Sequence, residues 1–365
     1  MRFIDIVAGA RPNFIKIAPI ISALQNRISN GGLLRYRLVH TGQHYDARLS
    51  DTFFEQLGIP KPDVNFDVGS GSQAEQTGLI MRSYERLLSD RRSDLCLVVG
   101  DVTSTMACAI TAQKLHVPVA HVEGGLRSGD WTMPEEINRL VTDSITNWFF
   151  TTSEFANNNL RREGVADDRI FYVGNTMIDT LLSSQHRLNA PEFWSNFGLK
   201  KDQYFVLTLH RPANVDDVGN LEMLLQKIGD SSRGFTVIFP VHPRTGAILR
   251  AIGALPSNLF LVEPQPYLEF NYLVSNAKAV ITDSGGITEE TTVMGVPCMT
   301  MRDSTERPET VSMGTNELIG SDPAALGPAL DKLFSGDWKK GLTPELWDGR
   351  AGERIVAHLE RLLCT

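Results

Sequence analysis

The sequence predicts an α/β protein: two successive Rossmann-like domains, each built on a parallel sheet. Three observations predict it. Short apolar runs rich in Val, Ile and Phe alternate with longer helical patterns, the signature of β-α-β units. The runs are apolar throughout rather than alternating, as expected of strands covered on both faces. The 365 residues exceed what one hydrophobic core usually holds. With 42% hydrophobic and 21% charged residues and a mean hydropathy of −0.12, the chain has the composition of a core-forming protein, not a disordered one.

In chain order, strands are predicted at 2–8, 36–40, 95–100, 117–122, 148–151 and 170–173. A second series follows at 204–209, 236–241, 259–262, 279–282 and 297–301. Between the series, residues 175–203 read as helix and then loop, with Pro191 near the middle, so the domain junction falls there. We assign 1–175 to the first domain and 176–351 to the second. Residues 352–363 form an amphipathic helix with Ile355, Leu359, Leu362 and Leu363 on one side, a face that must dock. Ligands in open α/β sheets bind beyond the carboxyl ends of the strands, so two such domains in succession predict an active site in the interdomain cleft.

Charge and cysteine usage exclude several classes. Thirty-five Lys and Arg stand against 43 Asp and Glu, a net charge of −8, which disfavours nucleic-acid binding. A few local arginines and helix N-termini can still bind an anionic ligand. The four cysteines, Cys96, Cys108, Cys298 and Cys364, are too scattered for a disulfide scaffold or a zinc site, and reduced thiols fit a cytoplasmic protein. Asp5 inside the first apolar run argues against a signal peptide. No apolar stretch is long enough to span a bilayer, so no membrane role is expected. Neither G-x-G-x-x-G nor a P-loop motif occurs, which disfavours conventional dinucleotide enzymes and NTPases. No D-x-D triplet occurs either, and we expect no metal and no cofactor.

The residues just after the strands carry the chemistry. The first strand leads into Gly9-Ala10-Arg11-Pro12-Asn13-Phe14, where Pro12 suits a first helical turn and Arg11 is placed to grip a phosphate or carboxylate. Asp283-Ser284-Gly285-Gly286-Ile287-Thr288-Glu289-Glu290 runs from a strand through a glycine turn into a helix that opens with carboxylates. Glycines admit a ligand to the backbone, and free N–H groups at the helix start bind anions, so a diphosphate fits here, with Glu290 toward a ribose. A plain capped helix would explain Glu289 but not the paired glycines. Asp101, Glu123 and Glu135 each come after a strand of the first domain, where acids can act as general acid or base. Asp101 is alternatively a cap for the helix starting near Ser104. His210-Arg211 and His242-Pro243-Arg244 come after strands of the second domain and suit a phosphate or proton transfer. The loop 302–309 presents Arg307 to the same anion or is simply a solvated run of alternating charge.

Taken together, these segments resemble the non-hydrolysing UDP-N-acetylglucosamine 2-epimerase family. The matching motifs run in order from Gly9-Ala10-Arg11-Pro12 through Thr41-Gly42-Gln43-His44, Gly100-Asp101-Val102-Thr103 and His121-Val122-Glu123-Gly124-Gly125. They continue with Pro134-Glu135-Glu136-Ile137-Asn138-Arg139, Gly174-Asn175-Thr176, His210-Arg211, 283–290 and 302–309. The resemblance implies a GT-B-like fold with the final helix, 352–365, packing back on the first domain. It implies reversible epimerisation at C2 of UDP-GlcNAc to UDP-ManNAc, by elimination of UDP to a 2-acetamidoglucal and re-addition. By position, Asp101, Glu123, Glu135 and His210 are the acid-base and essential polar residues. Arg11, Arg139, Ser284, Gly285, Gly286, Glu290 and Arg307 would hold the nucleotide, and Phe270, before the helix of Tyr272 and Leu273, would lie against uracil. A homodimer that supplies cell-envelope polysaccharide synthesis is the implied setting.

Gln43 and His242 match positions associated with regulation by substrate in the family, whereas Tyr45-Asp46 and Gly69-Ser70-Gly71-Ser72-Gln73 depart from its polar and Arg pattern. Three alternatives share the nucleotide grip: a GT-B glycosyltransferase using a UDP-sugar, an epimerase of a modified UDP-HexNAc, and a nucleotide-sugar binder. A binder has no need of the three acids.

Overall fold

The computed structural model describes residues 1–43, 53–241 and 243–364. The chain divides into two compact units, Met1–Ser184 with Glu345–Thr365, and Gln185–Pro344.

The first unit is a seven-stranded, wholly parallel sheet. Its strands are β1 (Arg2–Ala8), β2 (Leu34–His40), β3 (Val64–Asn65), β4 (Leu95–Val99), β5 (Val119–Val122), β6 (Trp148–Thr151) and β7 (Ile170–Tyr172). Their order across the sheet is β3-β2-β1-β4-β5-β6-β7. The direction of winding therefore reverses between β1 and β4, the switch point at which α/β sheets bind ligands. Val99 pairs with Val122, so the turns after β4 and β5 leave the sheet level with each other. One core layer forms where Ile80, Tyr84 and Leu88 of the helix Gln73–Asp90 meet Val7, Val39 and Val98 of the sheet. Asp5, the one acid of the first apolar run, is fully buried but answered by both guanidinium donors of Arg37 at 2.8 Å and by the Tyr84 hydroxyl at 3.0 Å.

The second unit repeats the plan with six strands. These are β8 (Tyr204–Thr208), β9 (Thr236–Pro240), β10 (Leu259–Val262), β11 (Ala279–Thr282), β12 (Cys298–Thr300) and β13 (Asn316–Leu318). The order is β10-β9-β8-β11-β12-β13, again all parallel, with the switch point between β8 and β11.

Eleven of these strands lie where the apolar runs predict them, within two residues at each end. The two that do not, β3 and β13, are two and three residues long and sit at sheet edges. An edge strand buries too little to need an apolar run, so it leaves no pattern in the sequence.

The final helix, Ala351–Cys364, belongs to the first unit and buries Ile355, Val356 and Leu359. It packs against the helices Arg11–Ser29 and Thr176–Ser184. Two local features allow that approach. Gly352 has no Cβ, and a Cβ there would lie 2.7 Å from the Pro19 carbonyl. Pro19 interrupts the helix Arg11–Ser29 and frees the Ile15 carbonyl, which accepts instead from the Thr180 hydroxyl at 2.6 Å. Asp179 accepts from the Gly352 N–H at 2.7 Å, capping the helix start. Burial raises the Asp179 carboxyl to about 6 against that backbone stabilisation.

Cys96, Cys108 and Cys298 are buried free thiols. Burial pushes the Cys298 thiol up to about 12, and none of the three is placed for thiolate chemistry. Among the described residues, no helix is long and apolar enough to cross a membrane.

Candidate functional site

In the first unit, the turn after β1 is assembled around Asn13. Its carboxamide oxygen accepts from the N–H groups of Gly9 and Ala10 at 3.1 and 3.0 Å, and its amide donates to the Val99 carbonyl at 2.9 Å. One side chain thus clips the β1 turn to the end of β4. A Cβ on Gly9 would fall 2.0 Å from the Ser104 hydroxyl, so only glycine fits. Arg11 opens the helix Arg11–Ser29 and rests its guanidinium 4.9 Å over the Phe53 ring.

The two acids after β4 and β5 are each matched by a buried cation. Glu123 is buried, with its carboxylate 2.6 Å from the Lys16 ammonium. It also adopts φ +70, a left-handed conformation that costs a non-glycine residue about 1–3 kcal/mol and persists where the surroundings enforce it. Gly100, at φ +68, lies beside this pair: a Cβ there would be 3.1 Å from the Lys16 nitrogen and 3.8 Å from the Glu123 carboxylate. Asp101 pairs with Arg139 at 2.5 Å, while its carbonyl accepts from Asn138 at 2.8 Å. The predicted alternative for Asp101, a cap of the next helix, is not what forms. The helix Thr103–Lys114 begins at Val102 without a side-chain cap, because the Asp101 carboxylate turns to Arg139.

Arg139 lies in the helix Pro134–Ile145, buried between Asp101 and Glu136, the latter at 2.6 Å. Burial alone would raise the Glu136 carboxyl, but the N–H groups of Ser128 and Gly129 and the Arg139 guanidinium hold it below its ordinary range. Glu135, in the first turn of the same helix, is exposed. With Gln43, Gln73, Thr103 and Asn138 it lines a cavity of about 360 Å³. Gln43 is buried there, its carbonyl accepting from the Ser104 hydroxyl at 2.9 Å. His44, Tyr45, Asp46 and His242 lie outside the described residues.

In the second unit the switch point is organised by Asp283, fully buried at the end of β11. Its carboxylate accepts from the backbone N–H groups of His210 and Arg211 and from the Asn214 amide at 3.0 to 3.2 Å. It also meets His210 Nδ1 at 2.7 Å. Desolvation opposes the ionised form, yet these donors outweigh it and hold the carboxyl below its ordinary range. The His210 ring is thereby oriented while remaining more than half exposed. Sequence reasoning named His210 and missed its partner. No local pattern marks that partner, because the pairing of β8 with β11 brings together residues 73 positions apart in the chain.

The glycine turn leads into the helix Gly285–Met294, whose N-cap Ser284 makes no side-chain cap bond. The predicted carboxylates of its first turn are not there: the helix starts two residues after Asp283, so Glu289 and Glu290 fall in the second turn and point into the interior. Glu289 pairs with Arg307 at 2.6 Å, and Arg302 with Glu306 at 2.9 Å. A Cβ on Gly285 would lie 2.2 Å from the Glu306 carboxylate, which occupies the space beside the turn. Glu290 meets the Tyr267 hydroxyl at 3.1 Å and, at 3.4 Å, the Asn271 amide. Burial raises it to about 7 against these two hydrogen bonds. Phe270 lies inside the helix Tyr267–Asn276 rather than before it, because Pro266 starts the helix earlier than the sequence suggests. It is partly exposed and packs on the core of this unit. Among the described residues, no group of three or more His, Cys, Asp or Glu side chains is placed to hold a metal ion.

A chain with acids at one switch point and a glycine turn at another has known counterparts. The UDP-N-acetylglucosamine 2-epimerase family profile matches residues 26–360. The UDP-N-acetylglucosamine 2-epimerase of Methanocaldococcus jannaschii is 40% identical over 366 residues, covering 97% of each chain. The UDP-2,3-diacetamido-2,3-dideoxy-D-glucuronate 2-epimerase of Pseudomonas aeruginosa is 39% identical over 377 residues, covering 99% of this chain and 100% of its own. The crystal structure of the M. jannaschii enzyme with UDP-GlcNAc and UDP superposes with a TM-score of 0.89 at 39% identity, covering 98% of this chain and 99% of that one. The fold is accordingly GT-B-like, two α/β units with parallel sheets. With a family profile over most of its length and full-length relatives of the same architecture, this chain belongs to the UDP-N-acetylglucosamine 2-epimerase family.

Proposed function

We propose that the chain interconverts UDP-GlcNAc and UDP-ManNAc by inversion at C2, without releasing free sugar. The C2 proton is not acidic, since no carbonyl is attached to that carbon. Elimination therefore draws on departure of UDP: the C1–O bond breaks with its electron pair going to UDP, a base takes the C2 proton, and the C2–H electrons form the C1–C2 double bond of a 2-acetamidoglucal. Re-addition of UDP at C1, with protonation of C2 from the opposite face, completes the inversion.

Asp101, Glu123 and Glu135 are the acid-base candidates for the two proton transfers, with His210, oriented by Asp283, as a further polar participant. Lys16 supplies the counter-charge that a buried Glu123 carboxylate requires. The Ser284-Gly285-Gly286 turn offers helix N–H groups to the diphosphate, with Arg11, Arg139 and Arg307 as further nucleotide contacts. Phe270 is assigned to the uracil face and Glu290 to the ribose. Gln43 and His242 remain assigned to a regulatory contact. The same reading makes the protein a cytoplasmic homodimer that feeds cell-envelope polysaccharide synthesis.

The observation that carries this reading is the placement of Asp101 and Glu123, each with its own cation, after the adjacent strands β4 and β5 beside the sheet's switch point. Proton NMR of UDP-GlcNAc with the protein in D2O tests it. UDP-ManNAc with deuterium at C2 of both sugars is expected, whereas free ManNAc plus UDP, or no C2 exchange, overturns it. A second reading, an epimerase of a modified UDP-HexNAc, is favoured by the near-equal identity to the P. aeruginosa enzyme. Turnover of the diacetamido uronic acid nucleotide with UDP-GlcNAc left untouched would establish that reading instead.

A further inference from the structure

Beneath the two acid-bearing turns of the first unit lies a buried pair that the proposed chemistry does not use. His121, in β5, is fully buried. Its Nδ1 is 2.7 Å from Asp143 Oδ1 and its Nε2 is 2.8 Å from the Gly100 carbonyl oxygen. A carbonyl only accepts, so Nε2 carries a hydrogen. The Asp143 carboxylate accepts at its other oxygen from the Gly125 N–H at 2.9 Å and from Arg127 Nη1 at 2.7 Å. The Arg127 guanidinium and the Gly125 N–H both donate to this carboxylate, the pattern of its ionised form, so Asp143 accepts from Nδ1 rather than donating to it. Nδ1 therefore carries a hydrogen too. Neutral imidazole has only one N–H, and a ring that donates from both nitrogens is an imidazolium.

The pair joins two particular places. Gly100 immediately precedes Asp101, and Gly125 and Arg127 come just after Glu123, so the His121–Asp143 bond ties the turn of one acid to the turn of the other. Glu123 sits in a left-handed conformation that needs enforcing, and Gly124 beside it has no room for a side chain. A Cβ there would lie 2.8 Å from Phe149, 3.4 Å from Asp143 Oδ1 and 3.5 Å from His121 Nδ1. The charged groups around the ring are Asp143 from the helix Pro134–Ile145, Arg127 from the loop after β5, and Glu163, which pairs with Arg127 at 2.6 Å. The Lys16–Glu123 pair lies beside Gly100.

We propose that His121, held as an imidazolium by Asp143, is a positioning residue for the C2 epimerisation, fixing the Asp101 turn against the Glu123 turn. The proposal rests on the reading of Asp101 and Glu123 as the reacting acids. A neutral ring would lose one of its two donors and release either Gly100 or Asp143, letting the two turns drift apart. A misplacement of about 1 Å lowers a rate by roughly 10²-fold.

The test uses the full chain labelled with 15N-histidine and long-range 1H–15N correlation, with His121→Gln identifying the His121 signals by their loss. In the wild-type protein both His121 nitrogens are expected to carry a hydrogen. A singly protonated His121 overturns the proposal. In Asp143→Asn, the C2 deuterium-exchange assay is expected to show kcat lower by about 10²-fold with KM within about twofold, and Asp143→Glu is expected to recover part of the loss. If both substitutions lower only the folded fraction, with kcat per folded molecule unchanged, the role is structural and the proposal fails. Should Asp143→Asn not fold, the wild-type proton count and Asp143→Glu still decide. A wild-type protein inert toward every UDP-sugar tried refutes the epimerase reading and the positioning role together, while the NMR spectrum still reports separately whether the buried ion pair exists.

Discussion

The two units share a sheet plan, and in both the buried acids beyond the strand ends mostly meet a cation; Glu290 of the second unit is instead met by two neutral donors. In the first unit the acids Asp101 and Glu123 each hold a buried cation, Arg139 and Lys16. In the second unit the arginines Arg302 and Arg307 are taken up by Glu306 and Glu289, and Glu290 is surrounded by the neutral groups of Tyr267 and Asn271. A carboxylate with a cation at contact distance is held ionised, the form that accepts protons and stabilises positive charge. One with only neutral donors is raised by burial into the range where it also exists as the protonated donor, as Glu290 is at about 7. The fold supplies the location, and the choice of partner decides what the acid can do there.

The largest effect is expected from breaking the first arrangement at its acid. Glu123→Gln keeps the shape and removes the charge, and kcat in the C2 exchange assay should fall by about 10²–10⁴-fold, the range for losing a general base or acid. Lys16→Met leaves a buried carboxylate without its cation. Removing one partner of such a pair costs about 3–5 kcal/mol, which urea unfolding will read directly.

The corresponding test in the second unit has a pH signature instead. Glu290 has a folded-state value near 7, raised from an ordinary 4.5, so the folded protein binds this proton more tightly than the unfolded chain. Its contribution to stability is full below the unfolded value of 4.5 and is lost as pH rises through 7. That loss is about 3 kcal/mol from pH 4.5 to mildly alkaline buffer, and roughly half of that across neutrality. Glu290→Gln should flatten the corresponding part of the pH–stability curve, measured by denaturant unfolding on either side of neutrality. The smallest effect sharpens the same point. Tyr267→Phe removes a donor that lowers Glu290, so its titration should move further up, observable by carboxyl NMR, at a stability cost of about 1 kcal/mol.

Much of the candidate site was legible because its residues sit at strand ends. A strand buried on both faces reads as an uninterrupted apolar run, and the residues just beyond its end must emerge at the rim of the sheet. Asp101, Glu123, His210 and the Ser284-Gly285-Gly286 turn were found by that position. Their partners were not. Asn13 reads as an ordinary helix-start residue, yet it clips β1 to β4. Asp283 reads as the lead-in to a glycine turn, yet it orients His210 from the neighbouring strand. The helix after the glycine turn reads as opening with carboxylates, yet Glu289 falls in its second turn; that expectation depends on the helix start to within a residue, and boundaries are where sequence patterns are weakest.

The sequence by itself determined the alternation of buried strands and helices, the turns that glycine alone permits, and membership of a family through motifs kept in order. These are local properties: burial, period and backbone freedom are written within a few residues of where they act. Only the tertiary structure decided the charge state of each polar group. Lys16 meets Glu123 across 107 positions, and His210 meets Asp283 across 73. Coulomb attraction and desolvation depend on distance and burial in space, and separation along the chain carries neither.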